Sequence, residues 1–148
     1  MERVFPNFDL MKERLLVEYT VEVRFGDIDV MGHVNNAVYL SYFEQARMAF
    51  FKELIGGEWD WNEAGILLAR NEVDYIQPIL LSDQVTVKTW CSKVGNSSLV
   101  IEYEVTRTPA GSTDTSVCTK GKSVLVCFDY HKKQKTLVPV SWKEKLVS

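Results

Sequence analysis

Cysteine is scarce in this 148-residue chain, and its arrangement argues against a cysteine-ligated metal site. Cys91, Cys118 and Cys127 form no CxxC pair, and no histidine stands beside them at metal-ligand spacing. An odd number of isolated thiols suits a reducing compartment, where cysteine acts as a small apolar packing group. Charge of one sign is not in excess: 17 Lys and Arg against 20 Asp and Glu leave a net charge of -3. A basic stripe or high pI of the kind that draws nucleic acid is therefore missing. No apolar run approaches the length needed to span a membrane. The stretch from Met1 to Glu18 carries Glu2, Asp9 and Glu13 among its apolar residues and lacks the core of a secretory signal. These absences lead to the expectation of a cytoplasmic protein with neither a nucleic-acid nor a membrane partner.

What is present is ordinary globular composition, 46% hydrophobic and 25% charged, with only 4 prolines. No repeat, linker or low-complexity segment interrupts it, so residues 1–148 are read as one domain. From Val17 to Phe25 apolar residues alternate with Glu18, Thr20, Glu22 and Arg24, the period of a half-buried strand. From about Ala37 to Leu54 the period changes. Tyr39, Phe43, Ala46, Phe50 and Leu54 recur at steps of three and four, as on an amphipathic helix. Asn35 or Asn36 stands where an N-cap belongs, and Gly56-Gly57 where a helix should end. On that helix Glu44 and Arg47, three residues apart, are expected to pair with each other.

Strands are expected near 66–76, 84–94, 98–108 and 117–130, with turns at Gly95-Asn96 and at Pro109 to Ser112. Strand, long helix and four longish strands make an α+β domain in which one antiparallel sheet packs on one helix. Such a sheet keeps free edges that invite pairing. A symmetric homo-oligomer that continues the sheet is therefore expected.

The chemistry concentrates in Phe25-Gly26-Asp27-Ile28-Asp29-Val30-Met31-Gly32-His33-Val34-Asn35-Asn36, between the first strand and the helix. Two carboxylates, one of the chain's two histidines and two amides lie beside a helix start. Unpaired N–H groups there present partial positive charge that suits a carbonyl oxygen acquiring negative charge. A nearby carboxylate can serve as general base or nucleophile. Plainer readings compete: an N-cap for the asparagines, solvated surface groups for Asp27 and Asp29, and a backbone-orienting role for His33. A calcium loop does not fit, because the EF-hand spacing and its terminal glutamate are absent.

Asp27-Ile-Asp29-Val-Met-Gly32-His33-Val-Asn35-Asn36-Ala-Val-Tyr39-Leu, with Tyr42-Phe43-Glu44-Gln-Ala-Arg47 after it, resembles the signature of 4-hydroxybenzoyl-CoA thioesterase-type hot-dog proteins. The likeness runs over roughly residues 17–130 and takes in Asp74-Tyr75, Pro78, Asp83 and Lys93-Val-Gly95-Asn96-Ser97-Ser98. It implies a hot-dog fold, one antiparallel five-stranded sheet wrapped around a long central helix, assembled as a dimer or homotetramer. The family's catalytic aspartate falls on Asp29, and the N–H that polarises the carbonyl falls near Asn36. His33 matches a supporting histidine of the related plant acyl-ACP enzymes, whereas Met31 replaces their catalytic asparagine. Asp27 is read as structural.

The implied activity is hydrolysis of an acyl-CoA to CoA and a free acid, with coenzyme A present only as part of the substrate and no cofactor or metal. Tyr39 and Phe43 are the aromatics expected nearest an acyl chain, while Trp59 and Trp61 either cap that pocket or pack. Lys93, Lys120 and Lys122, with Gly95, Asn96, Ser97 and Ser98 as donors, are candidates for coenzyme A phosphates. A non-catalytic acyl-CoA binding module and a dehydratase using His33 with Asp29 are the rival readings.

Overall fold

The computed structural model describes residues 14–146; the expectations for residues 1–13 lie outside these. The chain begins with β1 (Leu16–Val21), a short 3-10 turn (Phe25–Asp27) and α1 (Val38–Ile55). Four long strands follow, β2 (Gly65–Tyr75), β3 (Gln84–Val94), β4 (Ser98–Thr108) and β5 (Ser116–Asp129). A two-residue β6 (Gln134–Lys135) and a short α2 (Val140–Leu146) come last. The sheet is antiparallel throughout, in the order β1-β3-β4-β5-β2, with β6 on the end of β5.

The four long strands fall within a residue or so of their expected limits because alternation and turn chemistry agree. In β4, Leu99, Ile101, Tyr103 and Val105 are buried, while Val100, Glu102 and Glu104 between them are partly exposed. Gly95 donates its N–H to the Ser98 carbonyl and closes the β3–β4 hairpin. Gly111 sits at φ +72° in the β4–β5 turn, a conformation that favours glycine. The first strand is shorter than its alternation suggests. Its in–out pattern persists to Val23, but the backbone then coils into the 3-10 turn and leaves Phe25 84% exposed.

Helix α1 lies across one face of the sheet, nearest β1 and β3. Every member of its expected apolar stripe is buried, and Tyr42 and Phe51 join it. Removing such side chains from water contributes about 2 kcal/mol each. One close approach is at Phe43, whose ring stacks on Tyr103 at 4.2 Å and lies over Gly121 of β5. A β-carbon at Gly121 would meet that ring at 2.4 Å, so only glycine admits the helix here. The helix ends at Gly56, φ +71°, as its sequence indicates.

Two expectations about α1 are corrected. Ala37, rather than either asparagine, occupies the cap position, and no side chain caps it. Arg47 does not pair with Glu44. It turns inward, is buried, and donates to the Tyr103 hydroxyl at 3.0 Å, which donates to Ser123 Oγ at 2.9 Å, which in turn donates to Asn71 Oδ1. Helical spacing permits the Glu44 pair, but an exposed pair is worth only a few tenths of a kcal/mol. A buried hydrogen-bonded chain across four elements outweighs it.

Among the described residues the sheet has two free edges. Residues of β2 level with inward residues of β5 face the helix side: Leu68 opposite Leu125, Asn71 opposite Ser123, Val73 opposite Gly121, Tyr75 opposite Thr119. Leu68 and Tyr75 are nonetheless 49% and 47% exposed, because α1 leans toward the other edge. Leu67, on the opposite face, is 40% exposed.

Candidate active site

Asp27 is the anchor of the loop that leads into α1. It is buried, and its carboxylate accepts the Arg24 backbone N–H at 3.0 Å and the Tyr42 hydroxyl at 2.8 Å. The Arg24 guanidinium stands 3.4 Å away, and the Asp27 carbonyl accepts the Asn35 N–H at 2.8 Å. One residue thus ties the end of β1, the loop and the helix together, the structural role its position suggested. Burial alone would raise its pKa, but the hydrogen bonds and the Arg24 charge outweigh it and hold the carboxyl below its usual 3.8. The same contact pushes the Tyr42 phenol well up, after burial as the larger cause.

Residues 28–34 then form a small closed hairpin. Ile28 bridges Val34, Asp29 N–H donates to the His33 carbonyl at 2.9 Å, and Gly32 N–H donates to the Asp29 carbonyl at 3.0 Å. The turn needs φ +80° at Gly32, which L side chains rarely adopt. Val34 N–H donates to the Ile79 carbonyl at 2.9 Å and pins the hairpin to the segment before β3. That segment is itself held by Asp83, which accepts the Leu80 N–H and pairs with Arg107 at 2.8 Å. Asp29 is half-buried, and its Oδ1 accepts the Met31 N–H at 2.9 Å. Among the described residues its second oxygen has no donor.

The helix start lies beside this carboxylate. Asn35 Oδ1 accepts the Ala37 N–H and the Asn35 carbonyl accepts the Val38 N–H, both at 2.9 Å. The Asn36 N–H, between these, donates to nothing among the described residues. Asp29, His33, Asn36, Tyr39 and Tyr75 line one cleft of about 360 Å³. The arrangement offers a carboxylate oxygen free to accept a proton or attack carbon, and an unpaired N–H at the positive end of a helix.

Other expected residues lie elsewhere. Phe43 packs wholly in the core between α1 and the sheet and does not line the cleft. Trp59 and Trp61 pack against Trp142 of α2, with Phe51 beside them, so they belong to the core at the far end of α1. Lys120 and Lys122 are on the face of the sheet away from α1, among Glu72, Asp74, Glu102 and Glu104, with Lys122 3.8 Å from Glu102. Within one chain both lysines therefore face away from the cleft. Lys93 is on the outer side too, next to Lys122 and Glu72.

Gly95, Asn96, Ser97 and Ser98 turn at the end of the sheet level with Val126, whereas Tyr75 and the cleft are level with Thr119. Seven strand steps separate these levels, roughly 23 Å. Within one chain the hairpin and Asp29 are not brought together. Tyr75 was not read as a site residue; its hydroxyl donates to the Asn36 carbonyl at 2.7 Å, across 39 residues, and no local pattern announces such a contact. A cavity of about 870 Å³ runs along the outer face of α1 past Tyr19, Gln45, Met48 and Trp59, away from these groups. No helix of the described residues is long and apolar enough to cross a membrane.

Comparison with known proteins agrees with this fold. Residues 23–146 match the family model of the thioesterase-like superfamily. The long-chain acyl-CoA thioesterase FadM of Escherichia coli is 25% identical over 127 residues, 85% of this chain and 93% of its own. An uncharacterised Bacillus subtilis protein, YsmA, is 31% identical over 83 residues, 56% of each chain. Among solved structures, a thioesterase from Thermus thermophilus complexed with coenzyme A and Zn is 39% identical, with a TM-score of 0.75 over 88% of this chain and 97% of that one. 4-Hydroxybenzoyl-CoA thioesterase from Pseudomonas sp. strain CBS-3 shares the fold, with a TM-score of 0.78 at 19% identity over 89% and 99% of the two chains. The hot-dog architecture read from the loop is thus the architecture observed, and the chain belongs to the thioesterase-like superfamily.

Proposed function

We propose that this chain hydrolyses the thioester of an acyl-CoA, releasing CoA and a carboxylic acid. The observation that carries this reading is the cleft in which the Asp29 carboxylate, one oxygen unengaged, shares a wall with the unpaired Asn36 N–H at the start of α1. The names of its relatives, a long-chain acyl-CoA thioesterase among them, support the same class of substrate.

In the general-base route, Asp29 takes a proton from water as the oxygen attacks the thioester carbon. The carbonyl oxygen becomes an oxyanion, and the Asn36 N–H with the helix start stabilises it. The C–S bond then breaks, and the sulfur leaves with the proton that Asp29 held. In the nucleophilic route Asp29 attacks the thioester carbon, the C–S bond breaks as CoA leaves as the thiolate, and water cleaves the resulting mixed anhydride; incorporation of labelled oxygen into Asp29 distinguishes the two. His33 flanks the carboxylate, and Tyr39 forms the cleft wall toward the core, where the acyl chain enters.

A second copy completes the site in this reading. Antiparallel pairing of the free β2 edges brings the Gly65 end of one strand to the Tyr75 end of the other. The hairpin Gly95–Ser98 of the partner copy thereby comes to the same end of the sheet as Asp29, and its backbone and hydroxyl donors reach coenzyme A there.

The test is CoA release from short, long and aromatic acyl-CoAs by wild type and Asp29→Asn. Turnover by wild type and a loss of about a hundredfold or more in the variant, with acyl-CoA still bound, is expected. Binding without turnover by wild type would refute hydrolysis of acyl-CoA and favour a binding module.

A further inference from the structure

We infer that Tyr75 is a positioning residue that ties the helix start bearing the Asn36 N–H to the sheet, at the place the reaction needs it; this rests on the reading of Asp29 and Asn36 given above. Asn36 is bracketed by tethers. On one side the Asn35 N–H is held by the Asp27 carbonyl at 2.8 Å, and the Asn35 carbonyl is held by the Val38 N–H at 2.9 Å. On the other, the Ala37 N–H is taken by Asn35 Oδ1 at 2.9 Å and the Asn36 carbonyl accepts the Tyr75 hydroxyl at 2.7 Å.

The first three tethers come from the loop and helix start. The Tyr75 contact alone comes from the sheet, at the last residue of β2, so it sets the helix start relative to the scaffold and not merely relative to itself. The ring that delivers it is oriented in turn: Tyr39 meets Tyr75 edge to face, centroids 4.9 Å apart and planes at 88°. Tyr39 is buried, so that orientation is built into the core. Burial also raises the Tyr75 phenol above its usual range, which keeps the hydroxyl a donor through neutral pH.

A donor pre-aimed at an oxyanion matters more in the transition state than in the bound substrate. Loss of the tether therefore lowers kcat and leaves KM nearly unchanged. Tyr75→Phe isolates the hydroxyl, since the phenyl ring keeps the edge contact with Tyr39. Tyr75→Leu removes both and controls for the ring.

The experiment pairs acyl-CoA hydrolysis with amide hydrogen exchange of residues 35–38 in full-length wild type and Tyr75→Phe. Expected are a five- to tenfold fall in kcat, KM within twofold, an unchanged melting temperature, and faster exchange confined to this segment. Exchange identical to wild type would overturn the tether whatever the activity. Faster exchange with unchanged kcat would overturn its role in catalysis. Hydrolysis of no acyl-CoA by wild type would instead sink the proposed reaction and with it the catalytic half of this inference, while exchange still decides the tether.

Discussion

Gly121→Ala is the sharpest test of how α1 is seated on the sheet. A β-carbon there would stand 2.4 and 2.5 Å from Cε2 and Cζ of Phe43 and 3.1 Å from the Glu72 carbonyl. The ring is about 1 Å short of ordinary contact, and it cannot tilt away freely because its face is stacked on Tyr103, 3° from parallel. Relief requires α1 to lift, and a gap approaching 1 Å forfeits a quarter to a half of the dispersion energy along the contact. Overpacking of this kind costs about 1–3 kcal/mol. Replacing glycine in a strand returns roughly 0.5 kcal/mol of chain entropy. The net expectation is about 2 kcal/mol, or a fall in Tm of roughly 7 °C for a chain of this length.

Urea and thermal unfolding followed by circular dichroism would measure this. Phe43→Leu alone opens a gap and costs about 1–2 kcal/mol, yet in the Gly121→Ala background it makes room for the new methyl. The double variant should therefore be more stable than the sum of the singles by about 1 kcal/mol or more. A Tm within 2 °C of wild type for Gly121→Ala, or strict additivity in the cycle, would refute the claim that this contact sets the helix height.

The carboxyl of Asp27 is held below its unfolded value of 3.8, so it favours the folded state above that pH and the contribution fades as pH falls through the lower, folded value. Asp27→Asn should accordingly lose about 2 kcal/mol between pH 5 and 7 and converge on wild type in acid; a pH-independent difference in denaturant midpoint would contradict this. On the free β2 edge, Leu68→Lys alters a side chain already 49% exposed in the single chain, so folding should survive while association weakens. Light scattering should then report monomer where wild type reports dimer, with hydrolysis reduced at least tenfold. A fully active monomer would rule out a site shared between copies.

Much of the fold was legible because separate signals coincided. In β3, β4 and β5 alternation, glycine turns and length all specify the same register. In α1 the apolar period and Gly56 specify the same helix. The misreadings share a cause: each local rule was outweighed by a stronger competing contact. Phe25 continues the alternation of β1, but the Asp27 cap gathers the backbone into a turn. Glu44 and Arg47 have good helical spacing, but Tyr103 and Ser123 wait inside the core. Asp29 and Asn36 were singled out because their loop resembles a known family signature. Tyr75 was not, because its contact with Asn36 joins strand to helix start and leaves no trace in spacing.

The two edges of the sheet are not equivalent, and the difference bears on function. β1 is six residues long and has α1 leaning over it, whereas β2 offers eleven residues and a bulge after Leu68. On its helix side β2 carries Leu68 and Tyr75, both about half exposed, although the Tyr75 ring meets Tyr39 of α1 edge to face. An uncovered inner face next to an unpaired edge is where a second copy gains most, since strand pairing and apolar burial come together. Antiparallel pairing exchanges the ends of the strand. It therefore carries a partner hairpin from roughly 23 Å away, by strand rise, to the level of Asp29. In the proposed assembly the carboxylate and the donor hairpin, at opposite ends of one chain's sheet, meet across the paired β2 edges, which would tie catalysis to assembly through a single edge.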